Sequence, residues 1–305
     1  MAKAASVSPF LGAVSARSPA GFGAAIFGAP HGTPYISIDN GIHAGAPDAF
    51  RNAVARDYDW IDHWDFDFGG PLLTERGFKV ADLGNLRTTP KDGLRNRKLI
   101  EAKTREIIEA GAVPIMFGGD DSTPVPFIAA FSGSPPITIL QIDAHIDWRD
   151  QREGETQGFS STMRRASEHE HVWRIVQAGI RGMGSARAPE IAAAQQWGAH
   201  LITAHEIHRS GIETVVALIP EDAPCLITFD CDALDSSQMP AVSYPSPGGL
   251  TFTQIVSLIA GVAAKAPIAG FTMVEFVPKR DRDGTAAFTA ARIACNVIGR
   301  IARQR

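Results

Sequence analysis

Acidic and imidazole side chains alternate along one short stretch, QIDAHIDWRD at residues 141–150. Asp143, His145 and Asp147 occupy every second position directly after an apolar run, ITILQI. All three side chains can bind a metal ion, and oxygen donors with one imidazole suit Mn²⁺ or a similar divalent ion better than a cysteine-based zinc site does. The stretch therefore indicates a metal centre at the end of a buried strand.

Acids also follow three other apolar runs of the chain. An acid at a single strand end is ordinarily an exposed loop residue or a helix N-cap, and we expect Asp235 to be such a residue. Acids at several strand ends of one sheet would repel each other unless cations compensated them, and a cluster of divalent ions is the simplest compensation. The acids in question lie in GGDDS (118–122), in DCDALD (230–235) and at Glu275 after FTMV.

Short apolar runs alternate with helical patterns along the chain, which is typical of a parallel sheet with crossover helices. Residues 96–110 form an amphipathic helix that ends at Gly111, Thr251 and Gln254 form a capping box, and residues 284–300 form a closing helix. We therefore predict one α/β domain over residues 1–305, a three-layer αβα sandwich with a mainly parallel sheet and residues 1–20 as a mobile leader. The predicted strands are 24–28, 112–117, 137–142, 171–180, 200–203, 225–230 and 268–276.

Charge and cysteine content narrow the function classes. The formal net charge of -4 argues against nucleic acid as the main partner, because phosphate binding favours a basic surface. The three cysteines lie in apolar stretches and are expected to be reduced core thiols of a cytoplasmic protein. Cys231 lies between two acids, and strand alternation directs it to the opposite face, into the core. No stretch is apolar enough to span a membrane.

Three of these stretches resemble the signatures of the ureohydrolase family of arginases and agmatinases. GGDDS, DAHID and DCDALDSSQMPAVSYPSPGGL match, in order and spacing, the family patterns G-G-D-H-S, D-A-H-x-D and D-x-D-x-x-D-P with a later P-x-P-G-G. FGAPHGTPYISIDNGIHAGAPDAFR resembles the first strand and glycine-rich loop of the family, and MVEFVP resembles its late strand with a substrate-binding glutamate. The resemblance covers nearly the whole chain and implies an arginase-like fold of the agmatinase-like branch.

The resemblance also implies an activity: two Mn²⁺ ions per chain activate water for attack on a guanidino or related amidine carbon, releasing urea and an amine. Ni²⁺ or another divalent ion is the alternative occupant. The family commonly forms trimers or hexamers, so a homo-oligomer is expected. Carried over to this chain, the ligands are Asp143 and Asp230 as bridges, His145 and Asp232 on one ion, and Asp147 and Asp121 on the other, with Glu275 facing the guanidinium.

Two positions depart from the family pattern. Asp121 replaces the usual histidine, so one ion is expected to bind differently, unless Asp121 only caps the helix near Thr123. Alignment of MRRAS (163–167) places Phe159 where the family often has a loop histidine that protonates the departing amine. His31, in the PHGTPY loop, is the candidate for a catalytic role there, with a solvated loop histidine as the alternative.

Residues near the metal motifs are candidates for binding the far end of the substrate. Tyr35 and Arg149, with Trp148 and Arg152, lie close to the site in sequence. An arginine there would suit a guanidino acid with a carboxylate, although Arg149 and Arg152 could equally face solvent.

Three functional hypotheses follow. The leading one is a metal-dependent amidinohydrolase. The second is a catalytically impaired family member that acts as a structural or regulatory subunit of a hetero-oligomer with an active paralogue, because both replaced histidines belong to the reaction centre. The third is hydrolysis of another C–N bond, such as a formimino group, and metal content and product identity separate the three.

Overall fold

A parallel sheet with helices on both faces organises the computed structural model, which describes residues 8–73, 77–184 and 186–304. Within these ranges nine strands pair in the order β1-β3-β2-β4-β9-β8-β5-β6-β7, and every pairing is parallel. The strands are β1 (Ala13–Ser15), β2 (Ala24–Ala29), β3 (Val80–Asn85), β4 (Val113–Gly118), β5 (Ile137–Ile142), β6 (Val172–Ile180), β7 (His200–Thr203), β8 (Cys225–Asp230) and β9 (Ile268–Val274).

From β2 onwards, helices connect the successive strands of the described residues. Most of them are short, and the three longest are α2, α8 and α9. The helices are α1 (Ala46–Ala53), α2 (Gly93–Glu109), α3 (Pro124–Ala129), α4 (Thr162–Ala166), α5 (Ala188–Trp197), α6 (Ala204–Ser210), α7 (Glu213–Val216), α8 (Phe252–Lys265) and α9 (Thr285–Gln304). None of the helices in the described ranges is both long and apolar enough to cross a membrane.

Alternate strand residues pack into two separate cores, one on each face of the sheet. In β4, Ile115 and Phe117 belong to one cluster and Met116 to the other. In β5, Leu140 and Ile142 share the first cluster, while Ile139 belongs to the second. This alternation explains the continuous apolar runs of the strands, because both of their faces are covered. The predicted three-layer αβα sandwich is confirmed.

Capping chemistry sets the helix ends close to where the sequence predicts them. The Thr251 side chain accepts from the backbone N–H of Gln254, whose side chain in turn accepts from the Thr251 backbone N–H, so the predicted capping box begins α8. Helix α2 begins three residues before the predicted start, because Asp92 accepts from the Arg95 backbone N–H.

Residues 10–15 correct the predicted leader. Phe10 is fully buried 5.0 Å from the Phe117 ring, and its backbone N–H donates to Asp82 of β3 at 2.9 Å. Ala13–Ser15 extend the sheet by pairing with β3. The expectation of a mobile segment is therefore wrong here, because this stretch supplies an edge strand and a core side chain. Residues 1–7 lie outside the described residues.

The cysteines and the last helix both belong to the core. Cys225, Cys231 and Cys295 are free and buried, as predicted. Burial raises the pKa of the Cys225 and Cys295 thiols to about 12, so both remain protonated near neutral pH. Helix α9 buries most of its apolar side chains in the first cluster, which agrees with core packing rather than an exposed interface.

Candidate metal centre

The acids predicted from sequence converge at one edge of the sheet. Strands β4, β9, β8 and β5 lie side by side, and each ends at an acidic motif. Parallel strands place their carboxyl ends along a common edge, so residues far apart in sequence meet there. None of the acids is more than 9% exposed: Asp121, Asp143, Asp147, Asp230, Asp232 and Glu275.

Two overlapping groups of metal-binding side chains form at this edge. In one group, ligand atoms of Asp143, His145 and Asp232 all lie within 4.8 Å of one another. In the other, those of Asp121, Asp143 and Asp230 do so as well. Asp143 belongs to both groups. The arrangement therefore resembles two adjacent ion sites that share a carboxylate.

Asp147 is tied to the shared carboxylate through a buried amide. Gln141 Nε2 donates to Asp143 Oδ2 at 2.8 Å and to Asp147 Oδ2 at 2.7 Å. The Gln177 side chain donates to Gln141 Oε1 and, at 2.8 Å, to the Ile146 carbonyl. Both glutamines lie on strands, so this network holds the acid loop against the sheet.

Burial and mutual repulsion act together on these carboxylates. Burial, reinforced by neighbouring carboxylates, raises the pKa of Asp121, Asp147 and Asp230 well above the ordinary range. Burial would also lower the pKa of His145, but hydrogen bonds to Asp143 and Asp232 outweigh it and raise that pKa to about 12. His145 Nδ1 lies 3.2 Å from Asp232 Oδ2. Buried carboxylates that repel one another in this way would be stabilised by a bound cation.

The donor set fits divalent metal ions. Asp121 Oδ2 is buried and has no hydrogen-bond partner among the described residues. A buried carboxylate oxygen without a partner costs about 1–3 kcal/mol or more, and a bound cation would remove that cost. The group around Asp121 offers carboxylates alone, whereas the other group adds one imidazole. The residues therefore fit two divalent ions with different ligand chemistry.

Metal-free protein is expected to lose stability as the pH rises through this cluster's titration range. Burial first, and then the neighbouring carboxylates of Asp120 and Asp232, raise the pKa of Glu275 from 4.5 to about 7. A carboxyl group whose pKa is higher in the folded than in the unfolded state stabilises the fold at pH values below its unfolded-state pKa. This contribution is lost as the pH rises through the folded-state pKa. Calorimetry between pH 4.5 and 7 should show a falling melting temperature without metal and a smaller fall with saturating Mn²⁺.

Groups far from the metal centre also titrate in this pH range. They affect the melting temperatures of metal-free and metal-loaded protein equally, so the difference between the two isolates the metal centre. Burial lowers the pKa of His169, which acts in the opposite direction, and the window of Asp235 lies between 3.8 and about 2. Equal pH dependence with and without metal would contradict the repulsion described above.

Glu275 is held in a fixed position beside the acids. Its φ of 64° and the φ of 44° at Asp147 lie in the left-handed region, which is uncommon for residues with a side chain. Glu275 Oε1 accepts from the Asp121 backbone N–H at 2.9 Å, and Oε2 lies 3.3 Å from His43 Nε2. His43 Nδ1 lies 3.1 Å from the Phe276 carbonyl. Contacts on both oxygens orient the Glu275 carboxylate.

A cavity of about 290 Å³ opens above the centre. Phe159 is among its lining residues and packs edge-on against Tyr35, with ring centroids 4.9 Å apart. The wall at the position where the family pattern has a histidine is thus apolar. The full lining is Asp121, His145, Asp147, Arg152, Phe159, Ser160, Met183, Gly184, Asp230, Asp232, Tyr244 and Glu275.

Some predicted site residues are not among those that line this cavity, and these include Tyr35, Arg149 and His31. Tyr35 is buried behind the wall, where its hydroxyl lies 2.7 Å from Ser160 Oγ. The Arg149 backbone N–H donates to the Ser160 carbonyl at 3.0 Å, and its side chain is outside the lining. The His31 imidazole lies 3.0 Å from Thr88 Oγ1 and is not among the residues that line the cavity. Tyr35 therefore supports the wall, and the catalytic role of His31 stays a prediction.

Sequence reasoning missed several residues that shape the site. Met183, Gly184 and Tyr244 line the cavity from loops after β6 and β8. Arg181 donates to the backbone carbonyls of Asp232 at 2.6 Å and Leu234 at 3.0 Å, which fixes the loop after β8. No local spacing marks these positions, because their contacts join distant parts of the chain.

Comparisons with known proteins agree with the fold and with the family resemblance of the motifs. The model of the Arginase family matches residues 22–299. The chain is 29% identical to N(1)-aminopropylagmatine ureohydrolase of Thermus thermophilus, over 75% of this chain and 78% of that protein. It is 30% identical to guanidinopropionase of Pseudomonas aeruginosa, over 72% of this chain and 70% of that protein.

Solved structures show the same fold. Proclavaminate amidino hydrolase from Streptomyces clavuligerus superposes with a TM-score of 0.86 at 24% identity, over 99% of both chains. Agmatine ureohydrolase of Thermoplasma volcanium superposes with a TM-score of 0.78 at 25% identity, over 97% of this chain and 94% of that one. The family predicted from the three acidic motifs is thereby confirmed, and the chain belongs to the arginase family.

Proposed function

We propose that the protein is a metal-dependent amidinohydrolase that cleaves a guanidino C–N bond and releases urea and an amine. The observation that carries the proposal is the pair of metal-binding groups that share Asp143, next to the oriented carboxylate of Glu275. Relatives with 28–30% identity include an agmatinase, a guanidinobutyrase and a guanidinopropionase. Their names support a small guanidino compound as the substrate.

Each side of the cavity has a distinct task. Bound divalent ions would lower the pKa of water enough to supply a nucleophile near neutral pH and would stabilise negative charge in the transition state. Glu275 binds the planar guanidinium by charge-assisted hydrogen bonds. Asp232 and Asp143 hold the His145 imidazole in place. Phe159 excludes water from the side of the cavity that it lines.

Mn²⁺ is the proposed occupant, since carboxylate oxygens dominate the ligands. Asp121→His is expected to raise the affinity of this site for Ni²⁺ relative to Mn²⁺ by at least about tenfold, because imidazole is a better ligand for Ni²⁺ than carboxylate is. Equilibrium dialysis against mixed ions followed by metal analysis measures the shift. Asp150→His, which adds an imidazole to an exposed position in the loop after β5, should leave the ratio unchanged. Unchanged selectivity in both variants would show that Asp121 is not a ligand.

Urea release from a panel of guanidino compounds tests the proposed reaction. The metal-loaded protein should release urea from at least one of agmatine, arginine, 4-guanidinobutyrate, 3-guanidinopropionate and guanidine, and a chelator should abolish the release. Silence across the panel with metal demonstrably bound would contradict the proposal and favour the regulatory-subunit hypothesis. Ammonia or formamide release from a formimino compound would instead favour the other C–N hydrolase.

A further inference from the structure

The lining of the cavity changes character with depth. The carboxylates that line it are at most 9% exposed, so they form its buried floor. Met183 and Tyr244 are 103% and 58% exposed, and the Arg152 side chain is 32% exposed, so these three belong to its open side. Among the described lining residues, Arg152 is the one lysine or arginine. A ligand that reaches from floor to mouth therefore passes from an acidic region to a basic side chain.

Arg152 is held in position by its surroundings. Its backbone N–H donates to the Glu155 carbonyl at 3.0 Å, and the Glu155 N–H donates back to the Arg152 carbonyl at 3.0 Å. The guanidinium carbon lies 5.2 Å from the centroid of the Tyr35 ring, within the range of a cation–π contact. Tyr35 is itself fixed by Ser160. The wall of the cavity thus orients the arginine before any ligand binds, which lowers the entropic cost of binding.

The adjacent acid leaves most of the guanidinium available. Arg152 Nε lies 3.5 Å from Glu153 Oε1, and within the described residues the structure gives no hydrogen bond from Nη1 or Nη2. Glu153 also accepts hydrogen bonds from the Ser37 hydroxyl and from the Ser37 backbone N–H, the latter at 3.0 Å. Its carboxylate is therefore shared between two partners. The two Nη groups form the edge that binds a carboxylate in a bidentate pair.

We infer that Arg152 is a specificity residue that binds the carboxylate of an ω-guanidino acid while the guanidino group lies against Glu275. The inference rests on the proposed function and names its substrate class. A guanidino acid carries a cation at one end and an anion at the other, which matches the acidic floor and the basic mouth. A guanidino amine such as agmatine would place its ammonium beside Arg152, where like charges repel. The cavity of about 290 Å³ limits the ligand to a small molecule.

The test compares end groups at constant chain length. The compounds are 4-guanidinobutyrate, its neutral amide 4-guanidinobutanamide, and agmatine. The protein should prefer the acid over the amide by at least about tenfold in kcat/KM, mainly through KM, because a charge-assisted hydrogen bond is worth at least this factor. Arg152→Gln should lose the preference and leave the amide nearly unaffected, while Arg152→Glu should favour agmatine. Arg152→Lys should retain part of the preference.

Arg56 provides a matched control away from the cavity. Its Nε lies 3.6 Å from Asp57 Oδ1, and its guanidinium carbon lies 4.6 Å from the Phe288 ring centroid, so it has the same kinds of partners as Arg152. Arg56→Gln should leave the end-group preference unchanged. An Arg152→Gln variant with the same acid-to-amide ratio as the unsubstituted protein would overturn the inference.

Calorimetric binding separates this inference from the proposed function. If no compound yields urea, the proposed reaction fails, but the dissociation constant of 4-guanidinobutyrate for metal-loaded protein can still be measured. Binding at least tenfold weaker in Arg152→Gln would support the role of Arg152 whether or not the compound turns over. Equal binding by both proteins, or no binding by the unsubstituted protein, would overturn it.

Discussion

Replacing Asp143 by asparagine is expected to prevent the binding of both metal ions and to lower urea release by roughly a thousandfold or more. Asp143 belongs to both groups of metal-binding side chains, so its substitution removes a ligand from each. A pair of divalent ions supplies several kcal/mol of transition-state stabilisation, and each ~1.4 kcal/mol corresponds to a factor of ten in rate. Metal analysis after dialysis, together with a urea assay, measures both effects.

The fold should survive this substitution. Burial and the Asp232 carboxylate raise the pKa of Asp143, so an amide at this position removes repulsion from the metal-free protein. The amide also loses one of the hydrogen bonds that the carboxylate accepts from Gln141 Nε2 and from the His145 backbone N–H. Because these effects oppose each other, the melting temperature of metal-free Asp143→Asn should lie within a few degrees of that of the unsubstituted protein near neutral pH.

Asp120→Asn is the matched control for metal binding. Asp120 is as buried as Asp143, but it belongs to neither group of metal-binding side chains, and its carboxylate accepts hydrogen bonds from Asn40 and Ser122. Asp120→Asn should retain both ions. Full metal occupancy in Asp143→Asn would contradict the assignment of Asp143 as the shared ligand.

Glu275→Gln is expected to lower kcat/KM by about a hundredfold to a thousandfold while leaving the metal content unchanged. The carboxylate is buried and oriented by the Asp121 backbone N–H and by His43, so it meets a guanidinium with little solvent screening. Charge-assisted hydrogen bonds of this kind contribute about 1.5–3 kcal/mol each, and a planar guanidinium can form two with one carboxylate.

Glutamine occupies the same volume and accepts the same backbone φ of 64°, so the change isolates the charge. Steady-state kinetics and metal analysis on the same sample measure the effect, and Glu155→Gln in the loop of Arg152 serves as a control for loss of a carboxylate. Loss of metal from Glu275→Gln would show that Glu275 is a metal ligand. Retained activity would show that the guanidinium of the substrate binds elsewhere.

The sequence predicts the site better than it predicts the order of the sheet. Strands β5, β7 and β8 begin and end where their apolar runs do, and the acids that follow β5 and β8 come together because parallel strands share one carboxyl edge. The run lengths do not reveal that β4, β9, β8 and β5 are neighbours. That order depends on crossover connections, which leave no local pattern.

Strands β1 and β3 were not predicted, for a physical reason. Ala13–Ser15 is too short for a periodic pattern, and β3 contains a buried acid, Asp82, which is atypical of a core strand. Arg51 neutralises this acid with contacts of 2.8 and 2.9 Å. The partner lies on α1, so only the folded chain shows that Asp82 can be buried.

Long-range partners account for the remaining differences at the site. His43 reaches Glu275 and the Phe276 carbonyl across more than half of the chain, and no spacing rule connects them. Tyr35, Arg149 and Arg152 were all candidates from proximity in sequence, and only the structure shows that Arg152 is the arginine that lines the cavity. The direction of a loop side chain depends on the local turn, which here is set by the backbone pairing of Arg152 with Glu155. Amino-acid composition does not determine such a turn.

The number of ions bound per chain tests the central claim most directly. Buried carboxylates at four adjacent strand ends are held together, in our account, because divalent cations compensate them. Equilibrium dialysis of chelator-treated protein against saturating Mn²⁺, followed by metal analysis, should give two ions per chain. A protein that retains fewer than one ion per chain under these conditions, with its fold intact, would contradict the account.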